Sequence, residues 1–282
     1  EETSELATDD LAAASEQQQA QDSAQVGSDV EEGRTGETGG IEVEADGAIN
    51  TPIALLLSAA RRGDSAEVER LLALGVGVNS TDGEGCSALM AASGGDQPAV
   101  VSQLLEAGAA RAVDLVNMHG ETALLLAARG GSADATELLL KAGAKVDMID
   151  HDGQTATLNA ARMGHAAVVS QLVDSGAELN PEIGEMPLHA AAENNHVDAV
   201  RLLLAGGADV DKADLYGNTA LMNAAVAGHA DVVSQLLGQG ATADLEGSGG
   251  QTALMKAAKA NMGECVTALV NGDASLDNGD AN

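Results

Sequence analysis

The stretch that decides the fold runs from Asp214 to Ala241: Asp-Leu-Tyr-Gly-Asn-Thr-Ala-Leu-Met-Asn-Ala-Ala-Val-Ala-Gly-His-Ala-Asp-Val-Val-Ser-Gln-Leu-Leu-Gly-Gln-Gly-Ala. Its first five residues hold the turn formers Asp214, Gly217 and Asn218. Thr219 then stands where a hydroxyl can cap free backbone N–H groups, so a short helix starts there. Ala224 and Ala225 lie on one face of that helix, and Gly228 breaks it. Val232, Val233, Leu236 and Leu237 follow at i, i+1, i+4 and i+5, which is one stripe of a second helix. Gly240 closes that helix in the left-handed cap conformation. The result is a turn, two helices and a loop, a unit whose apolar stripe has nothing of its own to pack against.

The same grammar recurs outward in both directions. The Ala pair, or its Ala-Ser variant, returns at Ala59, Ala92, Ala127, Ala160, Ala191, Ala224 and Ala257, at intervals of 33, 35, 33, 31, 33 and 33 residues. Capping openings recur at Ser87, Thr122, Thr155, Thr219 and Thr252. The Val-Val-Ser-Gln-Leu-Leu stripe of Val100 to Leu105 is nearly copied from Val168 to Val173 and repeated from Val232 to Leu237. Gly-Ala closures stand at Gly108, Gly143, Gly176, Gly207 and Gly240. Seven such units stack by burying each stripe against the next, so stability comes from neighbours rather than from any single unit. Within the stripe Leu172 is expected in the core and Gln171 on the surface.

Composition agrees. The chain has 34 Gly, 1 Tyr and neither Phe nor Trp in 282 residues. A core without large aromatics must be made of thin Ala, Val and Leu layers, and alanine lets helices approach closely. Thirteen Lys and Arg against 44 Asp and Glu give a formal charge of −31. That charge repels a phosphate backbone, and stacking platforms for single strands are missing, so nucleic acid and anionic membrane surfaces are poor partners. The longest apolar stretch, Ile53 to Ala60, is far short of the ~20 residues of a membrane-spanning helix. Cys86 and Cys265 show neither zinc nor disulfide spacing.

Three segments are expected: a disordered acidic tail over residues 1–50, the repeat domain over 51–277, and a short tail over 278–282. The first holds 14 acidic residues against the single base Arg34 and too few apolar side chains to offset the entropy of ordering. It reads as a linker, or as an acidic bait or lid. The chain opens at Glu1. The compartment is read as cytoplasmic, with a processed mature form in an organelle or exported as the alternative.

The stretch from Asp214 to Ala241, together with Met186-Pro187-Leu188-His189 ahead of Ala191-Ala192, resembles the ankyrin-repeat family, and the likeness extends over about residues 51 to 277. The resemblance implies an all-α solenoid of paired antiparallel helices, with hairpin fingers along one edge and a concave binding face. Fingers two and four depart from it, one lengthened by two residues between Gly108 and Asn117, the other shortened by two between Asn180 and Gly184. Unit seven carries Asn261-Met262 in place of Gly-His, and its Lys256, Lys259 and Glu264 suit an exposed end cap.

No nucleophile elbow, phosphate loop or His-Glu-x-x-His motif is present. His165, His196 and His229 recur at equivalent positions, but successive repeats are on the order of 10 Å apart, too far for one metal centre with bonds of about 2 Å. They read as structural. Asp150-His151-Asp152 is the best local cluster for acid, base or metal work, yet a solvated finger tip offers no burial to tune it. No enzyme activity, cofactor or metal is therefore expected.

The resemblance places the two residues after each Ala pair on the concave face, among them Arg129, Arg162-Met163 and Glu193-Asn194. Arg129 and Arg162 on adjacent units suit a carboxylate or a peptide carbonyl. Beside them lie the finger residues Met118, His119, His151, Asp152, Ile183, Leu215 and Tyr216, whose apolar members have no fold-level reason to be exposed. The expectation is a non-enzymatic scaffold that binds another protein through these residues, as a monomer or as a subunit of a hetero-complex. The alternative is a structural subunit of a larger assembly, contacting it by the convex face or the ends.

Overall fold

The computed structural model describes residues 51–182 and 184–272, all within the unit that runs from Val43 to Asn282. The expectations for residues 1–50, for 278–282 and for Ile183 lie outside the described residues. Among the described residues fourteen α-helices form seven antiparallel pairs: α1 (Pro52–Arg62) with α2 (Ser65–Ala73), α3 (Ala88–Gly94) with α4 (Pro98–Glu106), α5 (Ala123–Gly130) with α6 (Ala133–Lys141), α7 (Ala156–Met163) with α8 (Ala166–Asp174), α9 (Pro187–Glu193) with α10 (Val197–Ala205), α11 (Ala220–Ala227) with α12 (Ala230–Gly238), and α13 (Ala253–Lys259) with α14 (Gly263–Asn271). Among the described residues there is no strand, only an isolated antiparallel bridge between Thr81 and Ser87 in the first finger. None of the helices among the described residues is long and apolar enough to cross a membrane.

Six of the seven first helices start on a hydroxyl. Thr155 Oγ1 accepts from Leu158 N at 3.1 Å and Thr122 Oγ1 from Leu125 N at 3.2 Å, and Thr51, Ser87, Thr219 and Thr252 do the same. The exception is α9, where Met186 occupies the cap position without a side-chain bond and Pro187 takes the first turn. Proline suits that position because the N–H it lacks would have been unpaired there in any case. The shortened finger thus changes how its helix begins. The lengthened finger winds its extra residues into a 3-10 turn, Ala109–Ala112, entered through Gly108 at φ +110°.

Ala127-Ala128, Ala160-Ala161, Ala191-Ala192 and Ala224-Ala225 are fully buried, and with so little side chain between them the first helices of neighbouring units pack more closely than the second helices do. This difference curves the stack with the first helices on its inner side. On the second helices the stripe is buried at its first three positions, as at Val168, Val169 and Leu172, while the fourth, Val173, is half-buried. Gln171, expected on the surface, is also half-buried, with Oε1 enclosed and unpartnered. Its counterpart Gln103 shows what the column is for: Nε2 donates to the Ser65 carbonyl of the preceding unit at 3.1 Å.

Two further ladders tie unit to unit. Nε2–H of His165 donates to the Arg129 carbonyl at 3.2 Å, His196 to the Arg162 carbonyl at 2.9 Å, and His229 to the Glu193 carbonyl at 2.8 Å. A carbonyl can only accept, so these bonds fix the tautomer and give the three histidines their role. On the opposite edge the side chains of Asp114, Asp147, Asn180 and Asp211 accept from the backbone N–H of Lys145, Glu178, Asp209 and Thr242 at 2.8–3.0 Å. Each bond of either kind contributes roughly 0.5–1.5 kcal/mol, and more where the acceptor is charged.

Candidate functional site

The inner helices and the fingers beside them form one surface. The fingers at Asp82, Asn117, Asp150 and Asp214 are each built by an Asx turn, while Gly247 takes that place in the finger before α13. Asp150 Oδ1 accepts from Asp152 N at 3.0 Å and Gln154 N at 2.8 Å, and Asp214 Oδ1 accepts from Tyr216 N at 2.9 Å and Asn218 N at 2.8 Å. Asn117 does the same with His119 and Glu121. Fingers also bond to each other, Met118 N to the Glu84 carbonyl at 2.8 Å and His151 N to the His119 carbonyl at 3.0 Å. In the Asp150-His151-Asp152 cluster, then, Asp150 shapes the turn while His151 and Asp152 stand exposed. Among the described residues no three His, Cys, Asp or Glu side chains converge on a point where a metal could bind.

The two arginines are not open cations. Arg129 pairs with Glu121 of its own unit, and Arg162 bonds to Gln154 and pairs with Glu185 of the next. Burial raises the Glu121 carboxyl, but hydrogen bonds from Asn117 and Arg129 more than offset this and hold it below the usual carboxylate range. The arginines therefore brace fingers against inner helices. What stands free is apolar: Met118 is 58% exposed, Met163 53%, Leu215 79%, Tyr216 75% and Val226 45%. Glu193, Asn194 and His119 are exposed beside them.

Of the residues singled out in the sequence, the structure brings Glu193, Leu215 and Tyr216 around one groove of about 730 Å³ between units five and six. Met118, His119, His151 and Asp152 line the neighbouring fingers and stay outside it. The groove also takes in residues that the sequence assigned to the repeat pattern or to the end cap rather than to a site: Met186, His189, Asn223 and Lys256. Asn223 and Lys256 share one column, the residue just before the Ala pair, where Ser58, Ala91, Leu126, Asn159 and Ala190 stand in the other units. Because Ser58 and Asn159 are polar there as well, the column alone does not single out the groove.

A model of the family described as ankyrin repeats matches three overlapping stretches, residues 56–150, 143–214 and 206–280. The chain belongs to the ankyrin-repeat family. Among solved structures the human ASB11 ankyrin repeat domain is similar at a TM-score of 0.68 and 30% identity, covering 77% of this chain and 96% of that one. The ankyrin repeat domain of Bcl-3, a member of the IkappaB protein family, is similar at a TM-score of 0.66 and 29% identity, covering 78% and 98%. A search of curated protein sequences returns no match. Ankyrin repeats are generally protein–protein interaction modules and typically non-enzymatic.

One ankyrin signature residue gives the solenoid a pH response. His189 is buried, its Nε2 donates to the Asn218 carbonyl at 3.0 Å, and its Nδ1 has no partner among the described residues. Burial lowers the imidazole pKa, and the Asn218 carbonyl, Asp214 and Glu185 only partly restore it. The unfolded chain binds a proton near the ordinary value of about 6.5, whereas the folded chain resists one until lower pH, so stability falls as pH drops below about 6.5 and levels off below the folded-state value. Denaturation midpoints compared between the protein and His189→Gln will diverge as pH is lowered from neutrality, with the variant losing less. Parallel curves would show that His189 does not titrate in this way.

Proposed function

We propose that this ankyrin module is a scaffold that binds another protein through its inner helices and finger tips, centred on units three to six. The observation that carries the reading is the set of exposed apolar side chains on that one surface, Met118, Met163, Leu215, Tyr216 and Val226. The finger turns are held by Asx bonds and by backbone bonds between fingers, so the fold does not need these side chains in place. Apolar area supplies affinity, and the charged and polar rim supplies specificity. With Arg129 and Arg162 already paired, their contribution is to hold the surface rigid before the partner arrives.

The test is capture from an extract of the source organism by the immobilised protein, with mass spectrometry, against Met118→Glu/Met163→Glu/Leu215→Glu shown to be folded by circular dichroism. A protein retained by the parent and lost by the variant is the expected result. Retention of the same proteins by both would move the working surface to the convex face or the ends, as a structural subunit requires.

A further inference from the structure

We infer that the groove between units five and six is a docking site for an extended segment of another protein in which an apolar side chain is flanked by Lys or Arg. This rests on the reading that the inner surface binds protein, and it names the chemistry that surface selects.

The groove lies at the shortened finger, where two missing residues leave Gly184 and Glu185 on one side and the full-length finger of Leu215 and Tyr216 on the other. Its volume, about 730 Å³, is within the size range of ligand-binding clefts. The turn of the upper rim is held without help from the side chains of Leu215 and Tyr216. Asp214 Oδ1 takes both Tyr216 N and Asn218 N, and Ser248 Oγ of the next finger donates to the Tyr216 carbonyl. Leu215 and Tyr216 are therefore held out over the groove with nothing in their own finger to cover them.

Polar groups in the groove divide into those already used and those still free. The Asn218 amide oxygen accepts from Lys256 Nζ at 2.7 Å, and Glu185 is neutralised by Arg162. Asn223, half-buried on α11, makes no side-chain hydrogen bond among the described residues. Its amide presents one acceptor beside two donors, the complement of the N–H and C=O of an extended backbone. Glu193 is exposed with no ion pair among the described residues, and Asp214, facing the same groove, has none either. His189 is kept neutral by burial. Lys256, the one Lys or Arg in the lining, is thus occupied, Asp214 is committed through Oδ1 to its own turn while carrying no ion pair, and Glu193 is free among the described residues.

Charge chooses the occupant. Residues 51–272 carry 27 Asp and Glu against 12 Lys and Arg, so a cationic segment is drawn in and an anionic one repelled. The chain's own residues 1–50, with 14 acidic side chains and one base, and a second copy of the chain at −31 are both poor occupants on that ground. A basic segment of a different protein with one apolar anchor matches the free groups.

Tyr216 is the only Tyr, Phe or Trp in the sequence, so the protein's intrinsic emission reports on this rim directly. The experiment titrates the full chain with defined peptides that lack Tyr and Trp: Leu or Met flanked by Lys and Arg, the same apolar residue flanked by Glu, and a basic peptide without the anchor. Anisotropy of labelled peptide gives a second readout. The basic-flanked anchor peptide should change Tyr216 emission saturably and bind at least about 10-fold more tightly than the acidic one, weakening as salt is raised from about 0.05 to 0.5 M. Glu193→Lys and Asn223→Ala, both at positions the core does not use, should each weaken it by about 5-fold or more. Equal binding of acidic and basic peptides, no saturable binding, or indifference to both substitutions would overturn the proposal. A captured partner lost with Met118→Glu/Met163→Glu but unaffected by Glu193→Lys and Asn223→Ala would overturn the groove while leaving the interaction surface standing.

Discussion

Leu172→Ala will lower the free energy of unfolding by about 2–5 kcal/mol. Leu172 lies in the last turn of α8, fully buried between the helices of units three to five. Truncation removes its transfer free energy and leaves a cavity that helices held by two hydrogen-bond ladders cannot easily collapse. Because a solenoid is coupled only through neighbours, the loss falls at the centre of the stack, and unfolding in guanidinium should broaden as the two ends uncouple. Asp174→Asn, exposed on the same helix, should stay within about 0.5 kcal/mol. Equal effects of the two changes would contradict the helix face assigned to the core.

Gly120→Ala should cost about 2–3 kcal/mol, most of it through the fingers rather than the core. Gly120 sits at φ +76°, where an L side chain is strained, and a Cβ there would lie 2.9 Å from His151 N and 3.1 Å from Asp150 Cα. Those are backbone atoms of the next finger, so no rotamer change relieves the contact, and the bond from His151 N to the His119 carbonyl must open. Gly153 provides the control. It occupies the same place in the next finger at φ +73°, but no described residue comes within 4 Å of its Cβ position. Gly153→Ala should show only the conformational strain, roughly 1–2 kcal/mol. Unfolding titrations giving the two variants the same loss would mean that finger-to-finger packing does not stabilise the solenoid.

Much of this architecture is legible because it is local and periodic. Thr122, Thr155 and Thr219 cap the helices they precede, Ala160-Ala161 and Ala224-Ala225 are buried where helices approach, and the edits around Gly108 and Asn180 fall in the fingers they were assigned to. What the sequence hides depends on how one unit meets the next. Arg129 and Arg162 read as free cations because Glu121 is eight residues upstream of the first and Glu185 is 23 residues downstream of the second, and only the folding of fingers against helices brings each pair together. Gln171 reads as polar surface, yet its column faces the preceding unit, as the bond from Gln103 to Ser65 shows. Asp114, Asp147, Asn180 and Asp211 look like turn composition until their partners are seen 29 to 31 residues ahead. Asn223 escapes because its neighbours, the Ala pair, carry the obvious signal.

The most direct test of the central claim, that the inner surface is where this protein meets its partner, is hydrogen exchange of the full chain alone and in complex with the captured protein. The account predicts slowed exchange in residues 118–131, 151–164, 184–194 and 214–228, with α6, α8, α10 and α12 unchanged. Protection confined to those second helices, or to the two ends of the stack, would contradict it.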